Sequence, residues 1–141
     1  MKPYNGSCLC GQVHFRILAE PGASRICWCH DCQKLAANGT VNVVFPSDTI
    51  EVTGELAQHT KTADSGNQVT RRFCAQCGTQ VFSDSTGRPG MTVVRVGTLD
   101  EPSAITPTAN IWTASAPDWA CISTALDEFE GAPPVVPVKP G

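Results

Sequence analysis

Seven of the eight cysteines in this 141-residue chain fall into three tight clusters, and their spacing constrains the fold more than any other feature. Two clusters are dyads and the third has three members: Cys8 with Cys10, Cys74 with Cys77, and Cys27 with Cys29 and Cys32. Four thiolates close a tetrahedral zinc site, whereas three leave one position open. The spacing therefore predicts a structural site on the two dyads, the four-cysteine site, and a catalytic site on the third cluster, the three-cysteine site.

A disulfide framework is the competing interpretation of so many cysteines, as in small secreted domains. Residues 1–7 contain no apolar stretch that resembles a signal peptide, so we expect a cytoplasmic protein. Glycine follows the second cysteine of each dyad, and a turn with φ > 0 there would free backbone N–H groups to face sulfur. We therefore favour metal ligation, and we expect the isolated Cys121 to be a buried, unreactive thiol.

Composition and charge narrow the class of protein. The length suits one domain, which we place at residues 1–130, and four prolines in residues 131–141 suit an extended tail. The formal net charge is −3, which does not favour a nucleic-acid partner. No apolar run approaches the roughly 20 residues of a membrane span. We therefore expect a soluble protein with no membrane or nucleic-acid partner, and its oligomeric state stays open.

Short alternating runs outnumber helical ones, which predicts an all-β fold. In residues 11–18 the apolar side chains of Val13, Phe15 and Ile17 share one face of a strand, and His14 is expected to be exposed on the other. Further strands are predicted at residues 40–45, 49–53, 57–62, 69–73, 79–83 and 91–97.

One short helix is predicted from Asp31 to Ala37, with its C-cap at Asn38 and Gly39. The helix begins inside the three-cysteine site. Its first-turn N–H groups and its dipole would stabilise a thiolate at Cys32.

The charge of the three-cysteine site indicates the chemistry that it suits. Zn²⁺ with three thiolates carries a net charge of −1, so it is a weak Lewis acid for activating water. A fourth thiolate suits it better, because zinc lowers the pKa of a bound thiol and leaves the sulfur nucleophilic. The pattern therefore indicates a small thiol as substrate. Two alternatives stay open: His30 or Asp31 as a fourth ligand, or an iron–sulfur cluster.

These motifs resemble those of the glutathione-dependent formaldehyde-activating enzyme (GFA) family, which includes centromere protein V-like domains. The matching segments are Ser7-Cys-Leu-Cys-Gly-Gln-Val13, Cys27-Trp-Cys-His-Asp-Cys-Gln-Lys34, Arg72-Phe-Cys-Ala-Gln-Cys-Gly-Thr79 and Val96-Gly-Thr-Leu-Asp100. The resemblance covers most of residues 5–130. It implies β-tent-like antiparallel sheets stapled by zinc, with one short helix. It also implies that Cys8, Cys10, Cys74 and Cys77 are structural ligands and that Cys27, Cys29 and Cys32 are catalytic ligands.

The resemblance further implies two Zn²⁺ ions and a carbon–sulfur lyase reaction, the condensation of glutathione with formaldehyde to S-hydroxymethylglutathione. A small thiol and an aldehyde would then be the partners. A second class stays open, a zinc-stapled binding module in which both metals are structural.

Several other side chains lie near the clusters or carry large apolar surfaces. Four cations are candidates for contacting anionic glutathione, although each by itself is expected to be a solvated surface charge: Arg25, Lys34, Arg71 and Arg72. Trp28 is expected either to wall the open metal position or to shield the metal from water. The remaining large aromatic residues near the C-terminal end are expected in the core or lining a pocket: Trp112, Trp119 and Phe129.

Overall fold

The computed structural model describes residues 1–134, so residues 135–141 of the expected tail lie outside the described part. Eleven strands occur among the described residues: β1 (Tyr4–Ser7), β2 (His14–Ile17), β3 (Ser24–Cys27), β4 (Thr40–Pro46), β5 (Ile50–Thr53), β6 (Leu56–Thr62), β7 (Gln68–Cys74), β8 (Gln80–Ser85), β9 (Met91–Arg95), β10 (Ala109–Ile111) and β11 (Asp127–Glu128). The α-helix of the described part is α1 (His30–Ala36). Single turns of 3₁₀-helix lie at Ser47–Thr49, Val96–Thr98, Pro102–Ala104 and Thr113–Ser115.

The strands form two sheets. A small antiparallel sheet has the order β1-β2-β5, and a larger one has the order β11-β10-β3-β4-β9-β8-β7-β6. This mostly β architecture with one short helix in the described residues confirms the predicted fold class. Most strand pairs are antiparallel, whereas β10 runs parallel to both β3 and β11. The segment between β9 and β10 is long enough for the chain to return to the sheet in this direction.

The main hydrophobic core contains side chains from both sheets. Val13, Phe15 and Ile17 are 0–4% exposed, and His14 between them is exposed, which confirms the predicted faces of this segment. The rings of Phe15 in the small sheet and Phe82 in the large sheet meet edge to face with centroids 5.1 Å apart. Burial of these apolar side chains therefore holds the two sheets together.

The predicted strands all occur, with ends shifted by a few residues. The first of them begins only at His14, because Gly11 has a φ of +83° and belongs to a turn. Four other strands were not predicted: β1, β3, β10 and β11. Each has four residues or fewer, and strands this short carry too few alternating positions to be recognised without their partners.

Helix α1 runs one residue earlier than predicted, and its predicted C-cap is wrong. Ala37 is the left-handed residue, with a φ of 58°, and its N–H donates to the carbonyl oxygen of Gln33 at 2.8 Å. Gly39 instead allows close packing, because a Cβ at this position would lie 2.8 Å from Cε2 of Trp28. The small residue therefore lets the start of β4 pass against the indole ring.

Two expectations for the segment before β11 are wrong. Cys121 is exposed rather than buried, and Trp119 is 66% exposed rather than part of the core or a pocket. The segment from Pro117 to Leu126 forms local turns outside both sheets, including a hydrogen bond from the Ala120 N–H to the Pro117 carbonyl. These residues belong to neither sheet, so their apolar composition alone did not bury them.

Within the described residues, no helix is both long enough and apolar enough to cross a membrane.

Candidate metal centres

The four-cysteine site lies where the two sheets meet. Cys8 and Cys10 lie in the turn from β1 to β2, whereas Cys74 ends β7 and Cys77 lies in the turn to β8. The four Sγ atoms all lie within 4.8 Å of one another. The Cys8–Cys10 and Cys10–Cys74 sulfur distances are 3.6 and 3.7 Å. Regular tetrahedral zinc with bonds of about 2.3 Å places its sulfurs about 3.8 Å apart, so this donor set fits zinc.

The two dyads form similar turns. The Gly11 N–H donates to the Cys8 carbonyl at 3.2 Å, and the Gly78 N–H donates to the Cys74 carbonyl at 2.9 Å. Gly11 and Gly78 have φ values of +83° and +77°, which confirms the predicted conformation after each dyad. Side chains other than glycine rarely adopt this conformation, so the glycines shape both turns.

Hydrogen bonds to sulfur stabilise thiolate charge at this site. The Val13 N–H donates to Cys8 Sγ at 3.3 Å. Thr79 Oγ1 lies 3.1 Å from Cys77 Sγ and accepts the Leu9 N–H at 3.1 Å, so it links the two dyads. The Thr79 hydroxyl and then its backbone N–H lower the pKa of Cys77 to about 5. Zinc binds the thiolate form, so these contacts favour metal binding.

The three-cysteine site is built at the junction of β3 and α1. Cys27 ends β3, Cys29 is the N-cap of α1, and Cys32 lies in the first turn of the helix. Their Sγ atoms all lie within 4.8 Å of one another, with Cys27 and Cys32 buried. His30, between two of them, is exposed. Three thiolates that converge in this way fit a soft metal such as zinc, with a fourth position left for another ligand.

Electrostatics within this cluster are uneven. Hydrogen bonding from the Cys27 thiol and then the Cys29 thiol lowers the pKa of Cys32 to about 2, with smaller contributions from the Thr40 hydroxyl and the charge of Arg95. Hydrogen bonding with Cys29 and then with Cys32 raises the pKa of Cys27. One thiol therefore ionises first, and metal binding would release the remaining protons.

The N-terminus of α1 stabilises negative charge on a different cysteine from the one predicted. The Cys32 N–H donates to Cys29 Sγ at 3.3 Å, so the first-turn donor stabilises negative charge on Cys29 rather than on Cys32. The reason is that Cys29 occupies the N-cap, where a side chain accepts from an N–H three residues ahead.

Trp28 is held as a packing residue between two of the cysteines. It is 4% exposed, and its Nε1–H donates to Asn110 Oδ1 at 3.1 Å. Its backbone N–H donates to the Ile111 carbonyl at 2.9 Å. These bonds fix the ring against β10, so it positions the chain between Cys27 and Cys29.

Two arginines expected to be solvated are largely buried. The Arg71 side chain is 12% exposed, with its Nη2 3.7 Å from Asp31 Oδ2. Lys61 Nζ contacts the other oxygen of the same carboxylate at 2.7 Å. Arg72 Nη2 lies 2.9 Å from Asp84 Oδ2. Ion pairing and burial therefore set the positions of these side chains, which sequence proximity to the cysteines did not reveal.

Arg95 and Thr40 are site residues that the sequence analysis missed. Both are buried, and both contribute to the lowered pKa of Cys32. The one sequence signal was a charged residue at the end of the apolar run Met91–Arg95. Placing it beside the cysteines requires knowing that β9 pairs with β4.

Fold and geometry together define a mostly β protein with two thiol clusters able to hold metal ions. The sequence model described as "Glutathione-dependent formaldehyde-activating enzyme" matches residues 3–115. The chain belongs to this family.

Two known proteins illustrate the relationship. A Halomonas elongata protein, provisionally named a glutathione-dependent formaldehyde-activating enzyme, is 27% identical over 139 residues, covering 91% of this chain and 87% of the relative. The crystal structure of a Rhodobacter sphaeroides protein matches with a TM-score of 0.57 at 19% identity, covering 73% of this chain and 91% of that one. The structural match supports the fold alone.

Proposed function

We propose that the three-cysteine site holds a catalytic zinc ion and joins the thiol of glutathione to formaldehyde. The observation that carries the proposal is that the sulfurs of Cys27, Cys29 and Cys32 converge on one site. Three thiolates leave a tetrahedral zinc ion with one open position. Family membership supports glutathione and formaldehyde as the substrates. The four-cysteine site is structural in this proposal, because its four sulfurs already complete a tetrahedron.

Cationic side chains near the site favour an anionic thiol such as glutathione. Burial and then the charge of Arg25 lower the pKa of Arg88, and the charges of Asp84 and Cys27 act in the opposite direction, so Arg88 lies within electrostatic range of this cysteine. Arg25 lies two residues before Cys27 on β3. Arg95 lies within electrostatic range of Arg71 and of all three cysteines. Positive potential of this kind attracts carboxylates and offsets the charge of additional thiolates.

The proposed reaction forms one carbon–sulfur bond. Zinc held by Cys27, Cys29 and Cys32 would offer a position for a fourth sulfur and lower the pKa of a thiol bound there. The glutathione sulfur attacks the carbonyl carbon of formaldehyde, the π pair of the C=O bond moves to oxygen, and the thiol proton ends on that oxygen. The product is S-hydroxymethylglutathione, and the reverse reaction is that of a carbon–sulfur lyase. We place the reaction in the cytoplasm, where thiols remain reduced.

Exchange NMR with ¹³C-labelled formaldehyde and glutathione tests this proposal. The two compounds combine without a catalyst, so the rate of interconversion is compared with that of a protein-free sample. We expect the protein to accelerate the exchange, Cys121→Ser to match the wild type, and Cys32→Ser to return the rate to the uncatalysed value. A wild-type rate equal to the protein-free rate would contradict the proposal.

A further inference from the structure

A row of polar side chains, of which Arg95 and Thr40 are buried and Asn42 is half-buried, leads from Arg95 to the three-cysteine site. Arg95 on β9 pairs directly with Asn42 on β4, and Thr40 lies two residues before Asn42 on the same face. Thr40 in turn pairs with Cys27 at the end of β3. Cross-strand neighbours and alternate residues share one face of a sheet, so these side chains form a continuous line.

Hydrogen bonds join the members of this line. Arg95 Nη1 donates to Asn42 Oδ1 at 2.6 Å, and Asn42 Nδ2 donates to Thr40 Oγ1 at 3.1 Å. A guanidinium can only donate, so the Asn42 oxygen must face Arg95 and its NH₂ group must face Thr40. Thr40 Oγ1 then accepts, which leaves its own proton free for another acceptor.

The candidate acceptor for that proton is a sulfur of the three-cysteine site. Thr40 pairs directly with Cys27, so their side chains share one face of the sheet, and the Sγ atoms of Cys27 and Cys32 lie within 4.8 Å of each other. Thr40 is 6% exposed and Cys32 is 5% exposed, so water has little access to either group. In such surroundings a hydrogen bond to a thiolate is stronger than in water.

Arg95 has no carboxylate partner among residues 1–134. The ion pairs of this part of the chain join Lys2 to Glu101, Lys61 and Arg71 to Asp31, and Arg72 to Asp84. Arg95 is only 8% exposed, and its Nε also has no hydrogen-bond partner within the described residues. A buried charge needs a compensating charge, and a zinc ion with three thiolates would supply one negative charge nearby.

We propose that Arg95, Asn42 and Thr40 form a relay of hydrogen bonds that positions the sulfurs of the three-cysteine site and neutralises the charge of the metal-loaded site. The relay acts through the cysteines, so its members are positioning residues. The inference rests on the proposed function because it requires a metal ion at the three-cysteine site. Its consequence is that a neutral centre accepts a fourth, negatively charged sulfur more readily than an anionic one.

Cobalt(II) titration of the full chain tests the relay without an activity assay. The affinity of each site is measured by competition with a chromophoric chelator, and the sulfur-to-cobalt charge-transfer bands report the ligands. The three-cysteine site is identified as the one whose signal Cys32→Ser removes. Loss of a group that orients a metal ligand commonly weakens metal affinity by about 10–100-fold.

We expect Thr40→Val and Arg95→Met to weaken cobalt binding at the three-cysteine site by about tenfold or more, with the four-cysteine site unchanged. Thr40→Ser keeps the hydroxyl and should keep the affinity. Thr92→Val and Arg72→Met are matched controls, because Thr92 donates to Asp84 at 2.6 Å and Arg72 pairs with the same carboxylate, outside the relay. Both controls should bind cobalt like the wild type.

Two results would overturn the inference and separate it from the proposed function. In the first result, the wild-type chain binds two cobalt ions, and Thr40→Val leaves both affinities unchanged or Thr92→Val lowers them equally. This result would contradict the relay and leave the proposed function standing. In the second result, the wild-type chain binds a single cobalt ion, which Cys77→Ser loses and Cys32→Ser keeps. This result would contradict both the relay and the proposed catalytic centre.

Discussion

Thr40 and Thr79 occupy corresponding positions beside the two thiol clusters. Each hydroxyl accepts one N–H, from Asn42 for Thr40 and from Leu9 for Thr79, and each lowers the pKa of one cysteine. Because a hydroxyl both accepts and donates, a single threonine can connect a neighbouring donor to a thiolate. At the scale of residues, a threonine hydroxyl therefore contributes to the electrostatics of each thiol cluster.

Ligand substitutions should separate the roles of the two clusters. We predict that Cys77→Ser folds poorly, because structural zinc can contribute about 10 kcal/mol or more, which is comparable with the stability of a whole domain. Cys32→Ser should remain folded with one metal ion fewer per chain. Circular dichroism during heating and metal analysis of the purified variants measure both effects. Cys121→Ser, at an exposed thiol, is the control and should match the wild type. Equal thermal stability of the Cys77 and Cys32 variants would contradict the division of roles.

Spacing in the sequence was enough to group the seven clustered cysteines and to predict the conformation of Gly11 and Gly78. It was not enough to find Thr40, Asn42 or Arg95. Cysteines close in sequence form each part of a cluster, whereas the relay joins residues on β4 and β9 whose proximity exists only after the strands pair. The burial of Cys121 was predicted wrongly for a similar reason, since burial requires a covering element that apolar composition alone does not supply.

The elements around the three-cysteine site meet at tight contacts. α1 ends at Ala36, and the chain reaches β4 by passing Gly39 against the ring of Trp28. Trp28 is held by hydrogen bonds to Asn110 and Ile111 of β10. The helix, β4 and β10 therefore position the cysteines together.

Filling this contact should destabilise the fold. In Gly39→Ala the new Cβ would lie 2.8 Å from Trp28 Cε2 and 3.1 Å from Ile26 Cγ2, closer than carbon atoms pack without displacement. We predict a loss of about 1–3 kcal/mol in the free energy of unfolding, the usual cost of overpacking. Urea denaturation measures it.

Gly97→Ala is the matched control for this substitution. A Cβ at Gly97 has no atom within 4 Å, and the position does not need a positive φ. Its urea midpoint should stay the same or rise slightly, because alanine restricts the unfolded chain. A Gly39→Ala midpoint equal to that of Gly97→Ala would show that the Trp28 contact is not tight in solution.

Most of the longer elements were predictable, and the shortest were not. The apolar run at residues 40–45 revealed β4, and the runs at residues 57–62 and 69–73 revealed β6 and β7. The apolar face of β2 was correct to the residue. By contrast, β10 has three residues and β11 has two, so their formation depends on pairing with β3 and with each other. The parallel direction of β10 arises from the path of the chain after β9, which no local pattern in the sequence reports.

At the scale of the whole molecule, the four-cysteine site brings together cysteines that are far apart in sequence. Cys10 and Cys74 are 64 positions apart, and they connect the β1–β2 turn to the end of β7. The three-cysteine site lies on the large sheet instead, at the end of β3. One cluster is therefore placed to hold the sheets together, and the other is placed on a single sheet beside arginines from β7 and β9.

The central claim is that one metal site is closed by four protein thiolates and the other accepts a thiol from a substrate. Titration of the cobalt-loaded protein with glutathione tests this claim most directly, with the charge-transfer bands as the signal and disulfide-linked glutathione as the control without a thiol. The predicted result is two cobalt ions per chain and a spectral change with glutathione that Cys32→Ser abolishes and the control ligand does not produce. A spectrum that glutathione leaves unchanged in the fully loaded protein would contradict the claim.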